Sequence, residues 1–335
     1  MSDSTDSNMK ANFRIPSASG DAGSALRVLD CTIRDGGLMN SHRFEDEVVA
    51  AVHSACGAAG IDYMEIGYRA SRKGIQSGEH GCWRYCLEED IQRIVGGRAV
   101  GPKISIMADV GKCDYREDIG PKAGSVVDMV RVACYLHQIP TAIDMVKDIR
   151  DKGYEVSVNL MAVTTVSERE LEEGLARLAS SEADIIYVVD SFGALVSPRI
   201  RSLMALYLRH AQPAGKSVGI HAHNNLQLAF ANTVEAMQAG ATFLDATMAG
   251  LGRGAGNCPM ELLVGFLDSS KYRLEPVLAC VEEVVEPLRR ELKWGFGLPY
   301  MITGLFNRHP RAAIEFLASP HRDGILPFYE SESRP

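Results

Sequence analysis

Eight short apolar runs recur along the chain, at 27–32, 63–67, 103–108, 129–134, 155–162, 185–189, 217–221 and 242–246. Runs of this length bounded by turn residues predict buried strands. Between them lie stretches with a 3.6-residue apolar period, at 44–59, 139–152, 168–180, 198–211 and 226–239. Three of these are followed by Gly60, Gly153 and Gly240, where a helix C-cap wants glycine. Strands alternating with helices over roughly 225 residues match the order and length of a (β/α)8 TIM barrel of the α/β class. A doubly wound open sheet is the competing arrangement, but no Gly-x-Gly-x-x-Gly turn follows the first run. The expected organisation is a flexible N-terminal arm over 1–24, a barrel catalytic domain over 25–270, and a short C-terminal helical extension over 271–335 that packs near the barrel mouth. Helices are expected in that extension at 281–292 and 301–306.

Polar residues interrupt the apolar runs at their C-terminal ends: Asp35, Glu65, Asp109, Arg131, Asn159, Asp190, His221 and His223. A buried polar group without a partner costs about 1–3 kcal/mol, so seven runs ending this way need a shared reason, and a catalytic mouth supplies one. Within Gly219-Ile220-His221-Ala222-His223-Asn224-Asn225 the two histidines stand two residues apart, so on a strand both imidazoles face one point. Far upstream, the first run leads into Thr32-Ile33-Arg34-Asp35-Gly36-Gly37, which places a carboxylate beside an arginine. Two imidazoles and one carboxylate make a facial ligand set with open positions, the mark of a catalytic metal. After the eighth run, Gly250-Leu251-Gly252-Arg253-Gly254-Ala255-Gly256-Asn257-Cys258-Pro259 brings backbone close to the site. The long connection over 68–86 is a candidate substrate lid.

Composition narrows the function. The 335-residue chain is 46% hydrophobic and 23% charged with a net charge of -8, and no cluster of lysine or arginine marks a nucleic-acid surface. No apolar run approaches the roughly 20 residues of a membrane span, and the Ser- and Asp-rich start is unlike a signal peptide. A cytoplasmic location is expected. The eight cysteines are scattered, several within apolar runs, as reduced thiols are. His80, Cys82 and Cys86 have no second Cys or His pair at zinc-site spacing.

The Thr-Ile-Arg-Asp-Gly turn, the His221-x-His223 pair with Asn224, and the Gly-Leu-Gly-Arg-Gly-Ala-Gly-Asn-Cys-Pro loop closely resemble the DRE-TIM metallolyases. The resemblance is strongest to the 4-hydroxy-2-oxovalerate aldolase branch and spans roughly residues 26–316 of the family's (β/α)8 barrel. It implies that Asp35, His221 and His223, with Asn257, hold a divalent metal ion: Mn²⁺ foremost, with Mg²⁺, Co²⁺ or Zn²⁺ as alternatives. Arg34 would then steady an enolate oxygen, and Tyr300 would be the tyrosine carried over the mouth. The implied reaction cleaves or forms a 4-hydroxy-2-keto acid from pyruvate, or another 2-keto acid, and an aldehyde. Two alternatives stay open: a Claisen-type condensation of a 2-keto acid with acetyl-CoA, and a silent barrel used as a binding module. Where the aldolases carry a catalytic histidine, this chain has Leu38. His42, Glu65, Tyr68 and His137 are the substitutes in neighbouring strand-end loops. A homodimer is expected, as for barrel enzymes generally. Docking of an aldehyde dehydrogenase is not supported, because the tail after 309–313 is shorter than in the aldolases.

Overall fold

The computed structural model describes residues 26–73, 78–96, 101–267, 269–320 and 324–334; the arm expected over 1–24 lies outside them, as do 74–77 of the candidate lid. Eight parallel strands close into a barrel in chain order: β1 (Arg27–Asp30), β2 (Tyr63–Tyr68), β3 (Lys103–Asp109), β4 (Val127–Cys134), β5 (Glu155–Leu160), β6 (Ile185–Asp190), β7 (Ser217–Ala222) and β8 (Phe243–Ala246). Pairing of β1 with β8, from Arg27↔Phe243 to Asp30↔Ala246, closes it. Helices at Asp46–Ala59, Ile139–Asp151, Glu168–Ala179, Ser197–Ala211 and Ala229–Gln238 fall where the periodicity places them. Among the described residues no helix is long and apolar enough to cross a membrane.

Several boundaries differ from the sequence reading for local reasons. The first strand stops at Asp30, and the chain turns at once into a short buried helix, Thr32–Gly37. Asp30 accepts hydrogen bonds from the Thr32 amide (3.1 Å) and hydroxyl (2.6 Å), which folds the backbone back. An unpredicted helix, Glu88–Val95, follows β2; three acidic residues open it, and its buried apolar positions are only Ile91 and Ile94. After β3 a single turn, Tyr115–Asp118, stands in for a full helix. The helix expected over 281–292 begins earlier, at Glu275–Cys280, then passes through a π turn and a 3₁₀ turn, Glu286–Arg290. Pro287 lacks the amide that an α-helix would need there. Leu298–Leu305 starts before the expected 301 because Pro299 suits a first helical turn.

Period-two alternation sorts the strand residues into an outer layer under the helices and an inner barrel core. The inner core is apolar toward the bottom: Leu29, Cys31, Tyr63, Met129, Ile185, Tyr187, Val189 and Phe243. A Cβ at Gly219 would stand 2.5 Å from the Tyr187 ring, so glycine on β7 makes room for that tyrosine. The Arg131 guanidinium sits 4.4 Å from the centre of the same ring. From there upward the interior turns polar.

Asp30 is fully buried, and burial raises its carboxyl to about 7 against the opposing pull of the Thr32 hydrogen bonds. A carboxyl raised on folding stabilises the fold at low pH, and that contribution is lost as pH climbs from about 4 to about 7. Urea unfolding across this window should show wild type losing stability relative to Asp30→Asn, by on the order of 1.4 kcal/mol per pH unit. Parallel pH profiles for the two proteins would refute the assignment.

Candidate metal centre

Asp35 on the Thr32–Gly37 turn, His221 near the end of β7, and His223 just beyond it converge at the C-terminal mouth of the barrel. Asp35 therefore comes from the helical turn after β1 and not from the strand itself. The ligand-capable atoms of the three residues all lie within 4.8 Å of one another. His221 Nε2 is 3.5 Å from Asp35 Oδ2, and the two imidazoles stand edge to face with centroids 5.0 Å apart.

The surroundings fix which nitrogen of each ring faces inward. His221 Nδ1 lies 2.9 Å from Asp245 Oδ2, and His223 Nδ1 lies 2.8 Å from the Asp190 carbonyl. A carbonyl and a carboxylate only accept, so both Nδ1 atoms carry a proton, and it is Nε2 of His221 that faces Asp35. Burial, reinforced by His221, lowers the His223 pKa to about 3, so its ring is neutral as a ligand must be. Among the described residues, His221 Nε2 and Asn257 Oδ1 are buried without a hydrogen-bond partner. Orphaned lone pairs of this kind, beside a carboxylate, are what a divalent cation satisfies, so the residues fit the implied metal. Asn257 donates to Asp35 Oδ2 (3.2 Å) and to the Leu251 carbonyl (3.1 Å), which leaves its Oδ1 as the free donor atom of the side chain.

Beneath the ligands runs a chain of buried ion pairs. Arg34 donates to Asp35 and, at 2.6 Å, to Glu65; Arg131 donates to the same Glu65 oxygen (3.0 Å) and to Asp245 (2.5 Å). Burial opposes charge on Arg34, but Asp35 and Glu65 outweigh it and hold the guanidinium cationic. Burial likewise works against Asp245 as an anion, yet Arg131 and His221 keep its carboxyl below the ordinary range. Asp245 is a functional residue that the sequence reading passed over; its inward parity with Phe243 on β8 is the signal that could have found it. Cys31, His221 and Asp245 form a second compact group, but Asp245 is already engaged by His221 and Arg131, and burial pushes the Cys31 thiol up. Asp245→Asn should weaken Mn²⁺ binding by about 10–100-fold in a calorimetric titration, since it loosens the ring that presents Nε2. An unchanged affinity would contradict the role.

The glycine-rich loop and the C-terminal segment close over this centre. A Cβ at Gly252 would fall 2.3 Å from Asn257 Nδ2, so only glycine lets the asparagine reach Asp35. Trp294 Nε1 donates to the Ala249 carbonyl (2.9 Å), and the Gly295 amide donates to the Gly254 carbonyl (3.1 Å). Asn225 donates to the Tyr300 carbonyl (3.3 Å), and Asn307 to the Thr164 carbonyl (3.1 Å). Residues 294–307 thereby tie down the loops after β5, β7 and β8.

An HMGL-like family model matches residues 128–282. A 4-hydroxy-2-oxovalerate aldolase of Carboxydothermus hydrogenoformans is 33% identical over 314 residues, covering 90% of each chain. The chain belongs to the HMGL-like, DRE-TIM metallolyase family. An oxaloacetate decarboxylase of Mycobacterium tuberculosis is 33% identical over 240 residues, 72% of this chain and 69% of that one. The crystal structure of the N-terminal domain of a putative aldolase from Bacteroides vulgatus superposes with a TM-score of 0.74 at 30% identity, covering 87% of this chain and 96% of that one. As a family member the chain is an enzyme of the carbon–carbon lyase type.

Within the family frame, the remaining candidates fall at different places. Leu38, where the aldolases have histidine, packs with Tyr68, Met107, Ala133 and Met161 in an apolar wall of the mouth. His42 lies edge-on to Tyr68 with centroids 5.3 Å apart, and its buried Nδ1 has no partner among the described residues. Glu65 is clamped between two guanidinium groups, which suits it to positioning them. Tyr300 lies over the glycine-rich loop: a Cβ at Gly254 would stand 3.3 Å from its ring. Among the sequence candidates, His137 is not in the Asp35–His221–His223 group; it stacks on Tyr135 beside a cavity of about 400 Å³ that Met161 and Ala162 also line. Asp109 pairs instead with Lys112 at 2.8 Å.

Proposed function

We propose that this enzyme is a divalent-metal-dependent aldolase that cleaves a 4-hydroxy-2-keto acid to pyruvate, or another 2-keto acid, and an aldehyde, and that runs the reverse addition. The observation that carries the reading is the convergence of Asp35, His221 and His223 beside Arg34 at the barrel mouth. Mn²⁺ is the metal we assign, held by those three residues with Asn257. When bound, such a cation supplies a Lewis acid for the oxygens of the keto acid.

Cleavage removes the proton of the 4-hydroxyl, breaks the C3–C4 bond, and sends its electron pair to the C2 oxygen as an enolate. The aldehyde leaves, and a proton delivered to C3 completes the keto acid. Arg34 provides a fixed cation for the enolate oxygen, and Glu65 holds that guanidinium in place. We assign the proton path to His42 beside Tyr68. Burial, Arg84 and His80 lower the His42 pKa to about 3, so the ring rests neutral, and its buried Nδ1 has no hydrogen-bond partner among the described residues. Tyr300 borders the mouth over the glycine-rich loop.

A second reading, decarboxylation of a 2-keto acid that carries a carboxylate on C3, is favoured by the apolar Leu38, since loss of carbon dioxide sends its electron pair to the C2 oxygen and needs no base at that point. Mn²⁺-loaded enzyme incubated with 4-hydroxy-2-oxopentanoate should release pyruvate and acetaldehyde, followed by reduction of both products with NADH. Carbon dioxide release from oxaloacetate, with no cleavage of the hydroxy acid, would replace the first reading by the second. We further assign the enzyme to the cytoplasm, where its eight free thiols stay reduced, and to a homodimer.

A further inference from the structure

The loop after β8 holds a set of donors that the metal centre does not use. Among the described residues the amides of Gly252, Arg253, Gly254 and Ala255 make no hydrogen bond, although Gly252, Gly254 and Ala255 are buried. Buried amides rarely stand without a partner. Two carbonyls of the same loop are occupied: that of Arg253 accepts from the Gly256 amide (3.3 Å), and that of Gly254 from the Gly295 amide. The Arg253 side chain, half-buried, makes no ion pair or hydrogen bond among the described residues. Its charge reaches His309, where burial first and Arg253 after it disfavour the protonated ring. His309 in turn packs against Phe192 of the β6 loop, with ring centroids 6.0 Å apart. The segment also spans a direction, because Gly252 abuts the Asn257 amide next to the metal centre and Gly254 abuts the Tyr300 ring.

We propose that the amides of residues 252–255 and the Arg253 guanidinium form an anion site that receives a carboxylate or phosphate on the aldehyde partner. Consecutive free amides beside an unpaired guanidinium are a ready concavity for such a group, and barrels commonly hold anions at the loops after strands seven and eight. The keto acid's own oxygens belong beside Asp35, His221, His223 and Arg34; the 252–255 segment reaches away toward Tyr300 and meets the far end of the substrate. This inference rests on the aldolase reading and names its substrate class.

The test is aldol addition by Mn²⁺-loaded enzyme of pyruvate to glyoxylate, to glycolaldehyde phosphate and to neutral propanal, with wild type, Arg253→Ala and Arg253→Lys. Wild type should favour one of the charged aldehydes over propanal in kcat/KM by at least about tenfold, the size of one charged hydrogen bond. Arg253→Ala should remove most of that preference and Arg253→Lys should keep part of it; the better charged aldehyde distinguishes carboxylate from phosphate. No preference in wild type, an equal fall for charged and neutral aldehydes, or a rise in pyruvate KM instead would overturn the proposal. Deuterium exchange into pyruvate by wild type needs no aldehyde and reports the aldolase reading alone. Exchange without an anion preference sinks only the anion site, whereas absent exchange sinks the reading beneath it.

Discussion

Replacing His221 by alanine is expected to abolish stoichiometric Mn²⁺ binding and to lower kcat/KM for cleavage by about a thousandfold or more, the scale on which a lost electron sink shows. The expectation follows from what His221 connects. Its Nε2 is the buried atom without a partner, facing Asp35 at 3.5 Å, while its Nδ1 is held by Asp245 at 2.9 Å. Removing the ring deletes one ligand and leaves Asp245 with Arg131 as its ion-pair partner among the described residues. Metal analysis of purified wild type and variant, beside their cleavage rates, checks the claim. A variant that keeps both metal and rate would remove His221 from the site.

Arg34→Ala should lower kcat by about 100-fold to 1,000-fold while metal binding survives in part, because the guanidinium acts on the charge that develops at the C2 oxygen. Arg34→Lys should recover little. Arg34 donates through Nε to Glu65 and through Nη1 to Asp35 at the same time, and a single ammonium lacks that fork. Steady-state kinetics with both variants separates the ideas: a lysine variant with near wild-type kcat would show that a point charge suffices. The loss should fall mainly on kcat, since a group that strengthens its interaction only as the bond breaks leaves KM largely unmoved.

Much of this site was readable in the chain because its geometry is local. His221 and His223 share a face by strand alternation alone, and the two rings do meet at 5.0 Å. Asp35 was legible as a residue but not as a place, since the Asp30–Thr32 hydrogen bonds that end β1 early depend on burial that no periodicity reveals. Asp245 stayed hidden because a lone aspartate in a short apolar run looks like any strand residue until Arg131 and His221, 114 and 24 positions away, arrive beside it. Glu65 read as a proton carrier from its position at a strand end, and two arginines from different elements turn it into a clamp. The four free amides of the β8 loop could not be read at all, because which backbone groups go unpaired is a property of the folded loop and of the segment that ties it down.

The central claim is that Asp35, His221 and His223 gather a divalent cation that makes the carbon next to a ketone acidic. Exchange of the pyruvate methyl protons in deuterated water, followed by mass spectrometry on chelator-stripped enzyme before and after Mn²⁺ is restored, tests it most directly. Exchange should be negligible in the stripped protein and return in proportion to the metal bound at one site per chain. Equal exchange with and without metal, or none in the fully loaded enzyme, would contradict it.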